Sequence, residues 1–130
     1  MNQTVSEKIL IIEDDRSLLE ALIHKLKDGG YQVLKARNGE EGLTVALAAK
    51  PDLILLDIIM PVMDGLTMLQ KLRQHDEWGK KVAVMILSNL VEDEKVAEAM
   101  KHDVFDYLIK SDWKLEDLLI KIKEKLAHGK

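Results

Sequence analysis

Polar side chains suited to phosphoryl or metal chemistry follow four of the five apolar, strand-like runs in this chain. Two carboxylates, Glu13 and Asp14, follow the first run, and Asp57 follows the third. Ser88 follows the fourth run, and Lys110 follows the fifth. Because the carboxyl ends of parallel strands share one edge of a sheet, the sequence predicts a single pocket with three carboxylates, a hydroxyl and an ammonium.

The charges of this predicted pocket favour a bound cation. Two carboxylates repel by roughly 4 kcal/mol at about 4 Å in an effective dielectric of about 20. Glu13, Asp14 and Asp57 bring three negative charges and Lys110 one positive charge, so one divalent ion would neutralise the remainder. The few ligands are oxygens, and no His or Cys stands nearby at metal spacing. This set favours Mg²⁺ with retained waters over Ca²⁺ or Zn²⁺.

The same groups are suited to phosphoryl transfer. Cations neutralise the phosphoryl oxygens in the transition state, and hydroxyl and ammonium donors orient them. An Asp side chain can itself be the nucleophile.

Five strand-and-helix pairs are predicted to position these residues. Continuous apolar runs alternate with stretches of helical period, which is typical of strands buried on both faces and joined through helices. Asp15 and Asp64 are predicted to cap the first and third helices. The predicted strands lie at about 8–12, 32–36, 53–56, 82–87 and 107–109, and the helices at about 18–28, 39–50, 65–72, 91–101 and 112–126. The pattern predicts an α/β protein with a doubly wound parallel sheet.

The composition indicates one ordinary globular domain. The 130 residues are 47% hydrophobic and 32% charged. The net charge of -4 argues against direct nucleic-acid binding, and the absence of cysteine excludes disulfides and thiolate metal sites. No apolar run approaches the ~18 residues of a membrane span, and the start lacks the pattern of a signal peptide. We therefore expect no membrane association and a cytoplasmic location.

With these motifs in this order, the chain resembles the receiver domain of two-component response regulators over essentially all 130 residues. The resemblance is carried by ILIIEDD at 9–15, DLILLDIIMPVMDG at 52–65, Ser88 after the fourth strand, and YLIK ending at Lys110. It implies a single receiver domain at 1–130, with an ordered core at about 7–127. It also implies a flavodoxin-like fold with a five-stranded parallel sheet in the order 2-1-3-4-5.

The resemblance implies a role for each acidic residue of the pocket. Asp57 would be the phosphoacceptor. Asp14, Asp57 and the backbone carbonyl of Ile59 would bind Mg²⁺, and Glu13 would hold a metal-bound water. In this family the residues at the positions of Ile59 and Leu90 tune hydrolysis, and two apolar residues there predict slow self-dephosphorylation.

The remaining roles concern transfer and output. Ser88 would bond a phosphoryl oxygen and Lys110 would pair with the phosphate as catalytic groups, and Ser88 and Tyr107 would form the switch. The phosphoryl group is expected from a sensor histidine kinase or a histidine phosphotransfer protein. A downstream protein target is expected on the face of the fourth helix, fifth strand and fifth helix. Trp113 and Ile120 are apolar but lie off the buried stripe of that last helix, which favours a partner there; alternatively, Trp113 only covers the helix end.

Three positions depart from the family pattern. The lysine is usually followed by a proline in a cis peptide, but Ser111 follows Lys110, so we expect a trans peptide and a lysine that is aimed less firmly. Asn89 stands where a small residue is usual and is predicted to crowd the space beside Ser88. Asp103 is predicted to adopt the left-handed conformation that glycine adopts more easily.

Three alternative functions remain open. A receiver that has lost its chemistry would serve only as a docking module. A Mg²⁺-dependent phosphohydrolase would use Asp57 as nucleophile, but such enzymes commonly need a second acid two residues on, where this chain has Ile59. A flavin-binding module needs a phosphate loop after the first strand, where the segment EDDRS would repel a phosphate. We expect a phosphorylation-dependent switch and not an enzyme.

Overall fold

A computed structural model of the chain describes residues 6–89 and 93–128, and these form one parallel sheet flanked by helices. In chain order the elements are β1 (Lys8–Ile12), α1 (Arg16–Asp28), β2 (Gln32–Ala36), α2 (Gly39–Ala49), β3 (Leu53–Leu56), α3 (Gly65–His75), α4 (Glu77–Lys81), β4 (Ala83–Ser88), α5 (Asp93–Met100), β5 (Asp106–Ile109) and α6 (Leu115–His128). In these two ranges no helix combines the length and the apolar character needed to cross a bilayer.

The strand order is β2-β1-β3-β4-β5, and every neighbouring pair is parallel. This confirms the predicted doubly wound topology. In register, Ile12 of β1 pairs with Leu56 of β3, and Leu56 pairs with Ile86 of β4. The residues that follow β1 and β3 therefore leave the sheet side by side, at the edge where open α/β sheets bind ligands.

Two apolar layers, one on each face of the sheet, form the core. Alternate strand residues such as Leu10 and Ile12 pack against α2 and α3, whereas Ile9 and Ile11 pack against α1 and α6. Each fully buried aliphatic side chain stabilises the fold by about 1.5–3 kcal/mol relative to an exposed one. Burial on both faces explains why the strands read as unbroken apolar runs.

Side-chain caps begin three helices near the carboxyl edge of the sheet. Asp15 accepts a hydrogen bond from the amide of Leu18 at 3.2 Å, and Asp64 accepts one from the amide of Thr67 at 2.8 Å. Both caps confirm the prediction. Asn38 caps α2 in the same way. Such caps are typically worth about 1 kcal/mol each, and they fix where the chain turns away from the pocket.

The predicted number of helices is wrong, because the described residues contain six α-helices and not five. The additional helix, α4, has only five residues, so it has no apolar stripe of helical period in the sequence. It begins where the carboxylate of Asp76 accepts a hydrogen bond from the amide of Gly79 at 2.7 Å. Of the predicted fourth helix, residues 91 and 92 lie outside the described residues, and α5 begins at Asp93.

The start predicted for the last helix is also wrong. Residues Lys110–Asp112 form a 3₁₀ turn, Trp113 is extended, and α6 begins at Leu115. Trp113 is partly buried against the core, and the ammonium of Lys121 lies 5.3 Å from the centre of its ring. Trp113 therefore covers the entrance to α6, whereas Ile120 on α6 is 56% exposed.

Arg73 joins three segments at the opposite end of the sheet from the predicted pocket. Its guanidinium donates hydrogen bonds to the backbone carbonyls of Gly79, Val82, His102 and Asp103 at 2.7–3.2 Å. Burial lowers the pKa of this guanidinium, and the charge of Asp103 opposes the change. Asp103 has φ = 59°, which confirms its predicted left-handed conformation.

Candidate functional site

The three predicted carboxylates meet at the carboxyl edge of the sheet. One oxygen each from Glu13, Asp14 and Asp57 lies within 4.8 Å of the others. Backbone hydrogen bonds continue the ladders to this point, because the amide of Glu13 donates to Ala36 and the amide of Asp57 donates to Ile12, both at 3.0 Å. Glu13 and Asp57 are 2% and 4% exposed, whereas Asp14 is exposed. The pocket therefore opens to solvent on the side of Asp14.

Lys110 reaches into the same pocket from the end of β5. Its ammonium lies 2.8 Å from Oε1 of Glu13 and 3.0 Å from Oδ2 of Asp57. The Lys110–Ser111 peptide is trans, as expected without a proline. The lysine therefore bridges the two buried carboxylates from a trans backbone.

Burial and the contacts within the pocket raise the pKa of both Glu13 and Lys110. Burial raises the pKa of Glu13 from 4.5 to about 7, although hydrogen bonds from Lys110 and from the amide of Asp15 favour the carboxylate. For Lys110, burial alone would lower the pKa, but the hydrogen bonds to Glu13 and Asp57 and the negative charges of these two carboxylates together outweigh burial and raise it. The contact from the Asp15 amide to Oε2 of Glu13, at 2.9 Å, was not foreseen from the sequence.

The backbone around Asp57 is tightly packed. Its second carboxylate oxygen, Oδ1, accepts a hydrogen bond from the amide of Ile59 at 3.3 Å. The amide of Gly65 donates to the carbonyl of Ile58 at 2.8 Å, and a Cβ at Gly65 would overlap the carbonyl oxygen of Asp57. Only glycine lets α3 begin this close to the strand end. The side chain of Ile59 is 58% exposed, and Leu90 lies outside the described residues.

Ser88 and Tyr107 lie on the neighbouring strands β4 and β5. Ser88 is fully buried, and Tyr107 is partly buried against the core. Burial raises the pKa of the Tyr107 hydroxyl, the charge of Asp57 adds to this, and a side-chain hydrogen bond with Ser88 acts in the opposite direction. Tyr107 therefore shares a hydrogen bond with Ser88, and its hydroxyl is close enough to Asp57 to be affected by the charge of that carboxylate.

Asn89 makes a contact that the sequence did not predict. Its Oδ1 accepts a hydrogen bond from the backbone amide of Ser111 at 3.0 Å. The side chain thus spans from the end of β4 to the turn after Lys110. This contact joins two of the positions that depart from the family pattern.

The donor set fits a hard divalent cation. Three carboxylates offer only oxygen atoms, and two of them are buried, where an uncompensated negative charge is costly. Lys110 compensates one charge. Cations such as Mg²⁺ prefer carboxylate oxygens and water, and the exposed Asp14 leaves the pocket accessible to both.

Comparison with known proteins gives the family. The family model described as "Response regulator receiver domain" matches residues 9–123. The transcriptional regulator RpaA of Synechocystis is 33% identical over 121 residues, which cover 93% of this chain and 49% of that protein. The response regulator MprA of Mycobacterium tuberculosis is 31% identical over 126 residues, which cover 97% of this chain and 53% of that protein. The chain thus spans about half the length of these relatives.

Solved structures of response regulators have the same fold as this chain. The receiver domain of the Francisella response regulator 1452 superposes with a TM-score of 0.84 at 28% identity, covering 96% of this chain and all of that one. The chemotaxis protein CheY4 of Vibrio cholerae superposes with a TM-score of 0.83 at 29% identity, covering 92% of this chain and 98% of that one. With its parallel sheet in the order 2-1-3-4-5 and its acidic pocket, the chain belongs to the response regulator receiver family.

Proposed function

We propose that this receiver is chemically active and that Asp57 is its phosphoacceptor. The observation that carries the proposal is the contact of Lys110 with both Asp57 and Glu13, beside the accessible carboxylate of Asp14. A receiver used only for docking has no need to bury two carboxylates, which are costly without a counter-ion, beside an accessible third. The expected donor is the phosphohistidine of a sensor histidine kinase or of a histidine phosphotransfer protein.

In the proposed reaction a carboxylate oxygen of Asp57 attacks the phosphorus atom. The new O–P bond forms as the P–N bond of the donor breaks, and the imidazole of the donor leaves with that electron pair. We infer that Lys110 and the Ser88 hydroxyl pair with the phosphoryl oxygens. Asp14, Asp57 and the carbonyl of Ile59 would hold Mg²⁺, with Glu13 holding a metal-bound water, and the bound ion would supply positive charge that offsets these oxygens. Hydrolysis of the acyl phosphate resets the switch.

The output is proposed on the face of α5, β5 and α6. Phosphate at Asp57 would draw Ser88 toward it, and Tyr107 would respond because it is hydrogen-bonded to Ser88. The exposed Ile120 on α6 supports a protein partner on this face. RpaA is named as a DNA-binding regulator, but this chain spans only half of it. We therefore propose that the present segment, with its net charge of -4, does not itself contact nucleic acid.

The phosphohydrolase alternative has little support. The position two residues after Asp57 holds Ile59, whose exposed apolar side chain cannot transfer a proton. The relatives named above are transcriptional and response regulators. The flavin alternative is weakened as well, because the loop after β1 contributes two carboxylates to the pocket.

The test is the intact mass of the protein after incubation with acetyl phosphate. We expect one acid-labile phosphoryl group in the presence of Mg²⁺ and none when the metal is chelated. Asp57→Asn keeps the size of the side chain but removes the nucleophile, so it should take up no phosphoryl group. Equal uptake by Asp57→Asn would overturn the assignment.

A further inference from the structure

We propose that Asn89 is a positioning residue for phosphoryl transfer, which holds the turn after Lys110 through its hydrogen bond to the amide of Ser111. The inference rests on the proposed function of Asp57. Among the described residues, no hydrogen bond joins Asn89 to either of the two carboxylates that Lys110 bridges. It acts instead on the backbone that carries the lysine, since Ser111 is the next residue in the chain.

The chemistry of the pair supports this assignment. Ser111 has a backbone N–H to donate only because it is not proline, which has no such donor. Asn89 supplies a carbonyl oxygen at 3.0 Å from this nitrogen. A small residue such as alanine at position 89 would have no acceptor to offer. The two departures from the family pattern are therefore complementary: Ser111 in place of proline provides a donor, and Asn89 in place of a small residue provides its acceptor.

The position of the bond in the sheet explains how it acts. The last pair of the ladder between β4 and β5 is Ser88 with Ile109. Asn89 and Lys110 are the next residues on the two strands, and the side chain of Asn89 continues the connection beyond that pair. Lys110 begins a 3₁₀ turn at this point and extends its ammonium to Glu13 and Asp57. A fixed turn orders the base of a long, flexible side chain that must meet two carboxylates.

The experiment compares initial rates of phosphoryl uptake at Asp57 from acetyl phosphate at saturating Mg²⁺. Asn89→Ala removes the acceptor, and the loss of one hydrogen bond should slow uptake about threefold to tenfold. Ser111→Ala is the matched control, since it removes the hydroxyl but keeps the amide donor, and it should react like the parent. Mg²⁺ affinity, measured by calorimetric titration, should be the same in all three proteins.

Repeating the Asn89→Ala change in a protein that already carries Ser111→Pro separates positioning from a general loss of structure. Ser111→Pro removes the donor, so adding Asn89→Ala to it should change the rate by less than about twofold. A rate for Asn89→Ala equal to that of the parent would overturn the inference, and so would an equal slowing in both backgrounds. A parent protein that takes up no phosphoryl group, like Asp57→Asn, would instead overturn the proposed function.

Discussion

The ammonium of Lys110 lies 2.8 Å from Oε1 of Glu13, a carboxyl group that is almost completely buried. The same ammonium contacts Asp57 at 3.0 Å. Lys110 therefore occupies the position of a counter-ion for the two buried carboxylates of the pocket. A divalent cation that binds there adds a second positive charge to a site that already holds one.

The first prediction follows from the repulsion between the Lys110 ammonium and a bound divalent cation. Lys110→Ala should leave the affinity for Mg²⁺ unchanged or raise it, by up to about tenfold, because it removes a nearby positive charge. The same variant should slow phosphoryl uptake, because one cation that pairs with the phosphoryl oxygens is lost. Calorimetric titration with Mg²⁺ measures the first effect. Lys114→Ala, which removes an exposed lysine outside the carboxylate cluster, is the control and should bind Mg²⁺ like the parent.

The pH dependence of Mg²⁺ binding provides the second prediction. Because burial raises the pKa of Glu13 to about 7, this carboxyl is largely protonated below that pH when no metal is bound. Mg²⁺ must displace the proton, so its affinity should fall as the pH is lowered through 7, by at most about tenfold per pH unit. Glu13→Gln cannot titrate and should lose this dependence. A parent and a variant with the same pH profile between 5.5 and 8 would contradict the assignment.

The strands, and the polar residues that follow them and form the pocket, could be predicted because each is marked by residues that are adjacent in the sequence. A strand buried on both faces must be apolar throughout, so the polar residue that ends each run, such as Asp57 or Lys110, stands out. Parallel topology then brings these ends to one edge without any further information. The caps at Asp15 and Asp64 are equally local, because each side chain bonds an amide three residues on.

The features that the sequence did not reveal depend on contacts between distant segments. Arg73 donates to carbonyls up to thirty residues away, and nothing in its neighbourhood along the chain indicates this. The bond between Asn89 and Ser111 joins two loops in the same way. Trp113 lies off the apolar stripe of the predicted helix, but the chain is not helical at that residue, so helical periodicity does not describe where its side chain packs.

The third prediction concerns Gly65. A methyl group at this position would overlap the carbonyl oxygen of Asp57, so Gly65→Ala should force α3 away from the strand end. We expect a loss of about 1–3 kcal/mol in the free energy of unfolding and slower phosphoryl uptake. Gly29→Ala is the control, because a Cβ there meets only ordinary contacts of 3.4 Å or more and φ is -79°. Urea denaturation of both variants gives the comparison.

Arg73 provides the fourth prediction. Arg73→Met keeps an apolar stem but leaves the carbonyls of Gly79, Val82, His102 and Asp103 without this donor. We expect a loss of about 2–4 kcal/mol in stability, since three of these four bonds are partly buried and each group left unsatisfied there costs about 1 kcal/mol or more. Arg16→Met removes only an exposed ion pair with Glu20 at 3.4 Å and should cost less than about 1 kcal/mol. Similar urea midpoints for the two variants would show that Arg73 does not join these segments.

The fifth prediction concerns the lifetime of the phosphorylated state. The side chain of Ile59, two residues after Asp57, is apolar and cannot orient a water for attack on the acyl phosphate. Ile59→Asn introduces an amide that can hydrogen-bond such a water, so the phosphoryl half-life should shorten several-fold in a quenched time course.

The control is Val62→Asn, which introduces the same amide elsewhere in the same loop. Val62 is 77% exposed, and its φ of 69° suits asparagine better than valine. This variant should stabilise the loop and leave the half-life unchanged. If both variants shorten the half-life equally, loop polarity in general controls hydrolysis and Ile59 has no special position. If neither does, the apolar side chain at Ile59 does not protect the acyl phosphate.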